Sequence, residues 1–320
     1  MIDFRYHVVS IIAVFLALAL GLFVGSTSLQ DAVVHTISTK ADSVKRANDS
    51  LTSQVNNLQG QVNADEKFDK ALLPYAVTGR LSGQLVSVIS APGTSDSVRK
   101  QVIAAVDAAG GTLSADVRLQ NAIADPKQDA FLSGLAERVS IPGHPAEATA
   151  DGAQRAAQQL AAVLGVRPAA HAVAPATIDT VLSAYNTGKL LTLGNEVTTQ
   201  RPGTLAIILT GPAPSPTADP AVVKAQRDFV LNLAADLDES ALGAVLAAPR
   251  PASGATTTDM TQAASSAAGL TDKISTVSGV DTAAGQIATV FALAAQADGT
   301  AGRFGPQSQL SPLPASSVAP

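Results

Sequence analysis

Four histidines, two methionines and no cysteine are the soft or borderline metal ligands that this chain offers. His7, His35, His144 and His171 lie far apart in the sequence, and no two have the four-residue spacing of a helical metal pair. Soft ions prefer thiolate or thioether sulfur, yet Met260 is the only methionine besides Met1. His144, set between Pro142-Gly143 and Pro145, reads as a loop residue. The absence of cysteine excludes disulfides, thiolate catalysis and thiolate metal sites. No GxSxG elbow supports a serine hydrolase. The segments Ser90-Ala91-Pro92-Gly93-Thr94 and Thr210-Gly211-Pro212-Ala213-Pro214-Ser215 follow apolar runs, where open α/β sheets bind ligands. Neither has the GxGxxG or Walker spacing that lays backbone amides on a phosphate, and both read as ordinary turns. No catalytic constellation and no cofactor site emerge, so a non-enzymatic chain without a bound cofactor is expected.

The net charge of −5, with no Lys/Arg cluster, also argues against a nucleic-acid surface. The chain has 320 residues, 46% of them hydrophobic but only 3% aromatic. A membrane β-barrel needs aromatic girdles and many alternating strands, so this composition points away from one.

Val8 to Val24, VVSIIAVFLALALGLFV, is uncharged and nearly all apolar. As a helix it spans about 26 Å, enough for a bilayer core. A cleaved signal peptide is the alternative, although its apolar core is usually shorter and no clean Ala-x-Ala site follows. Arg5 precedes the segment and Asp31 follows it. The positive-inside rule therefore puts the N-terminus in the cytoplasm and the bulk outside it. Such a single helix suits the inner membrane. Ala13, Ala17, Gly21 and Gly25 recur every four residues, a face on which two helices can approach closely in lipid. Alanine-rich sequence also produces such spacing by chance.

From Val34 to Val62 the pattern is a heptad. Val34, Ala41, Asn48, Val55 and Val62 take the a positions, and Ile37, Val44, Leu51 and Leu58 take d. Leucine at d with a single asparagine at a favours two parallel strands in fixed register. A parallel coiled-coil homodimer is expected, with an amphipathic helix folded back on its own domain as the alternative. Pro74 should end this stem near Leu73.

Beyond Gly79 the pattern becomes α/β. Gln84–Ser90 and Thr112–Leu119 read as strands around a helix capped by Ser95 or Asp96, ending at Gly110-Gly111. That βαβ unit implies a parallel sheet. Residues 128–188 read as mainly helical, and Tyr75 as an interfacial packing residue. Further strands are expected at 190–193, 205–210, 241–247 and 273–277, with a helix over 222–238. Ser278-Gly279-Val280-Asp281 reads as a turn, with Asp281 capping a last helix to about Ala297. The organisation is thus an anchor (1–26), a stem (27–78), an α/β extracytoplasmic domain (79–298) and a tail (299–320) too poor in bulky apolar groups to order itself.

The opening MIDFRYHVVSIIAVFLALALGLFVGS, the run LVSVISAPG…AAVDAAGGTLSADVRL and the late KISTVSGVDTAAGQIATVFAL resemble the MctB family over nearly the whole chain. The resemblance implies an actinobacterial envelope protein of copper transport or homeostasis, channel-like and assigned to the outer membrane. It supplies no metal-binding motif to carry over. It also implies an alternative, because some corynebacterial relatives are associated with cell division and septal wall hydrolysis. On that alternative the stem is a dimeric platform for an envelope or division partner.

Overall fold

The computed structural model describes residues 4–144, 147, 149–168, 173–197, 200–215, 217–251, 260–267, 269–306 and 311–314; the side chains of 26–36 lie outside the described set. The chain divides into two compact units, Met1–Asp65 and Glu66–Pro320.

Helix α1, Phe4–Val77, starts in the first unit and ends in the second. It carries Pro74 within it, a correction to the expectation that proline ends the stem near Leu73. A proline in a helix forfeits one backbone hydrogen bond. Here apolar packing outweighs that loss: Val77 is fully buried, and Leu73 and Ala76 pack against the same core. The division between the two units falls at Asp65, before the last turns of α1.

The second unit is an α/β domain on a seven-stranded mixed sheet of order β3-β2-β1-β4-β5-β6-β7. β1 (Leu85–Ser90), α2 (Asp96–Ala108) and β2 (Thr112–Leu119) form the expected βαβ unit. α3 (Asp129–Arg138), α4 (Gly152–Leu164) and α5 (Pro175–Thr187) follow. β3 (Leu191–Leu193) pairs antiparallel with β2, so the sheet is not wholly parallel as expected. The Gln120 amide donates to the Leu190 carbonyl at 2.9 Å, which brings the start of β3 beside the end of β2 and forces opposite directions. β4 (Leu205–Leu209), α6 (Pro220–Ser240), β5 (Gly243–Ala248), α7 (Met260–Ser266), β6 (Ser275–Ser278) and α8 (Ala283–Ala297) complete the parallel run. β7 (Arg303–Phe304) then pairs with β6, so the tail is not wholly without order. Those two residues need no core of their own, because Phe304 is buried in the core of the sheet.

Both faces of the sheet are covered, as parallel strands require. Alternate residues of β4 serve opposite cores: Ala206 and Ile208 one, Leu205, Ile207 and Leu209 the other. The first core takes side chains from α4, α5 and α6, the second from α2, α8 and the end of α1. Thr282, not Asp281, caps α8, accepting from the Gly285 amide at 3.1 Å. Asp281 is instead drawn to Arg250, accepting from its backbone amide at 2.7 Å and its Nε at 3.2 Å. Glu66 Oε1 also accepts from the Ala283 amide at 3.3 Å, tying the late part of α1 to the start of α8.

Candidate functional site

Phe4–Gly25 is long and apolar enough to cross a membrane, with a mean hydropathy of 2.8 and none of its span buried. Ala13, Ala17 and Gly21 are exposed and Gly25 half-buried on this segment. A Cβ on Gly21 or Gly25 would meet nothing within 4 Å, so that surface is open to close approach.

Further along α1, the heptad core positions are exposed from Ile37 onward. Ile37, Val44, Leu51, Val55, Leu58 and Val62 are 49–68% exposed, and Ala41 and Asn48 lie open between them. Local bonds hold this helix, such as Arg46 Nε to the Asp42 carbonyl at 3.2 Å and Ser53 Oγ to the Asp49 carbonyl at 2.9 Å. The side chain of Val34, the first heptad position, and that of His35 lie outside the described residues, as does His171.

The C-terminal edge of the sheet carries a different constellation. The sheet order reverses between β1 and β4, the place where doubly wound folds take ligands. The loops after these two strands touch there. Thr94 Oγ1 donates to the Ala91 carbonyl at 2.7 Å and to the Leu209 carbonyl at 2.9 Å. Gly211 lies so close to Gly93 that a Cβ would sit 2.7 Å from the Gly93 carbonyl carbon. On one side of this contact is a cavity of about 430 Å³, lined by Pro92, Pro212, Val223, Val230 and Met260. On the other is a polar one of about 200 Å³, lined by Ser90, Thr94, Asp96, Arg99 and Arg118.

Beneath the polar cavity lies a buried ion pair. Arg99 of α2 donates from Nη1 to Asp116 Oδ2 of β2 at 2.6 Å. Asp116 is fully buried, and burial raises its carboxyl above the usual range although Arg99, and to a lesser degree Arg118, pull it down. Glu196 approaches Arg99 Nη2 at 4.0 Å, and Gln200 Oε1 accepts from the Asp116 amide at 2.7 Å. Gly194 is required beside this pair, because a Cβ there would collide with the Asp116 carboxylate. Four buried side-chain atoms have no hydrogen-bond partner among the described residues: Ser90 Oγ, Arg99 Nε, Asp116 Oδ1 and Arg118 Nε. All belong to this one cluster.

Sequence reasoning named the two loops but missed the charged pair. The available signal was an aspartate between two apolar residues in a strand, Ala115-Asp116-Val117. A buried acid calls for a cation, but nothing in the spacing says that Arg99 answers.

No group of three or more His, Cys, Asp or Glu that could hold a metal ion occurs among the described residues. His144 sits exposed in a turn, its amide donating to the Ile141 carbonyl at 3.1 Å. His7 is exposed on the apolar segment of α1, and Tyr75 is 81% exposed.

Comparison with known proteins places these features in a family context. A family model described as "Copper transport outer membrane protein, MctB" matches residues 1–314. Proteins described as "Copper transporter MctB" from Mycobacterium bovis and Mycobacterium tuberculosis are each 30% identical over 305 residues. The alignment covers 92% of this chain and 92% of each relative.

Proposed function

The chain belongs to the MctB family, and from that premise we propose that it serves copper homeostasis at the cell envelope, as a single-pass protein held by the start of α1. The family match over residues 1–314 carries this reading. Copper is cargo here and not a resident cofactor. Thiolate is absent from the sequence and thioether nearly so, which suits a protein that does not retain the ion. One helix encloses no lumen, so a channel-like route needs several copies side by side. Ala13, Ala17, Gly21 and Gly25 supply a surface on which such helices can pack. Arg5 before the segment and Asp31 after it favour an extracytoplasmic domain. We assign the chain no catalytic reaction. The test is the copper content and copper tolerance of a deletion strain, with and without the restored chain. Efflux predicts higher cellular copper and lower tolerance on deletion, both reversed by complementation. Unchanged copper in the deletion strain refutes it.

A second reading rests on the exposed stripe of α1. Large apolar side chains left in water at 3.5-residue spacing favour a helical partner. In this reading two copies form a parallel coiled coil through Val34–Val62, and the pair recruits an envelope partner acting in division or wall remodelling. Polar residues in place of Leu51 and Leu58 should then abolish function while the α/β domain stays folded. Wild-type behaviour of that variant reduces the stem to a spacer.

A further inference from the structure

We propose that the polar cavity beside the β1–α2 loop binds a small oxyanion, the phosphate or carboxylate group of a ligand, on Ser90, Arg99, Arg118 and the N-terminus of α2. The donors come first. Ser90 and Arg99 are each only 4% exposed, both line the cavity, and Ser90 Oγ and Arg99 Nε have no partner. Arg118 lines it too and leaves its own Nε unpartnered. A buried donor without an acceptor forfeits its hydration with nothing in return. A fold that lines one cavity with the three side chains that carry these donors presents them to an acceptor from outside. Asp116, which holds the fourth unpartnered atom, does not line the cavity.

Helix α2 adds to the attraction. It runs for 13 residues, and Ser95 at its N-cap makes no side-chain capping bond. Uncapped amides and the helix dipole favour negative charge at that end. Asp96 already shows the preference: its carboxylate lies 3.6 Å from Arg99 Nε and 3.5 Å from Arg118 Nη1. Both distances exceed a good charged hydrogen bond, and the Asp96 side chain is 69% exposed. It is an internal stand-in that an incoming oxyanion can displace by rotating it into water. A volume of about 200 Å³ admits one such group. The Ser90–Thr94 segment is therefore more than a turn, although it lacks a phosphate-loop motif. The group can come from a soluble phosphate ester or from a lipid headgroup.

The test uses the full chain in nanodiscs of phosphatidylcholine, titrated with inorganic phosphate by calorimetry. Saturable binding at one site per chain is expected. Asp96→Asn removes the competing carboxylate and should tighten binding about threefold. Arg118→Gln should weaken it about tenfold or more. Ser90→Ala deletes a hydroxyl with no partner, so it should weaken phosphate binding while leaving the melting temperature unchanged. Nanodiscs containing phosphatidylglycerol distinguish the two sources. Competition with phosphate identifies a headgroup as the ligand, and no competition identifies a soluble one. Absence of saturable binding in both wild type and Asp96→Asn overturns the proposal. So does phosphate affinity that Arg118→Gln leaves unchanged in a folded protein.

Discussion

Arg99 Nη1 meets Asp116 Oδ2 at 2.6 Å, with side chains 5% and 0% exposed, and each is the counter-charge that permits burial of the other. Removing one partner strands a buried charge, which typically costs about 3–5 kcal/mol. Asp116→Ala is expected to destabilise the α/β domain by that amount. The double variant Arg99→Met, Asp116→Leu should recover much of it, because an apolar pair leaves no charge unmatched. Urea unfolding followed by circular dichroism measures both. A double variant no better than the single would show that the pair's hydrogen bonding outweighs its desolvation.

Asp236 on α6 sets a pH dependence. Its carboxyl is raised from 3.8 to about 6, chiefly by burial, with Glu239 and Glu147 adding repulsion. The folded protein therefore holds this proton more tightly than the unfolded chain does. The resulting stabilisation is full below about pH 4 and is lost as the pH rises through about 6. It amounts to at most about 3 kcal/mol. Asp236→Asn should remove that part of the slope in thermal melts between pH 4 and 8. Asp116 and Asp238 are raised as well, so a shallower slope of the same sign should persist.

The stem makes a prediction of its own. Leu51 and Leu58 are 59% and 60% exposed in the single chain. Burying each against a second copy is worth about 1.5–3 kcal/mol per side chain. The variant Leu51→Ser, Leu58→Ser is expected to lose the dimer band in chemical cross-linking of membranes. Asn48→Val should strengthen association while loosening its register. Equal cross-linking in all three proteins would remove the coiled coil from the account.

Phe304 is 6% exposed and belongs to the core that also holds Val277 and Val280. Phe304→Ala should cost about 3 kcal/mol. A melting temperature within a degree of wild type would show that β7 contributes nothing to the domain.

Local pattern carried much of this fold. β2 was legible to the residue at Thr112–Leu119, and β1 to within one. Turn residues set off both strands: Gly83 before β1, Pro92-Gly93 after it, and Gly110-Gly111 before β2. Pairing was harder to read. β3 is only three residues long, and its direction depends on a contact with Gln120 from a distant segment. β7 fell in a stretch whose composition argued for disorder, because a strand that joins an existing edge needs little hydrophobicity of its own. At the candidate site, the loop Ser90–Thr94 was visible as the end of a strand. Arg99 and Arg118 were not: Arg99 reaches the site by the packing of α2 on the sheet, and Arg118 by the β1–β2 register that pairs it with Ser90, neither of which is set by spacing along the chain.

The sheet closes at both flanks with very little backbone, three residues in β3 and two in β7. A neighbouring polypeptide seeking to extend the sheet finds almost no ladder to join. Such short borders guard the domain against runaway fibre growth. They leave any association to side chains, where register and stoichiometry can be specified.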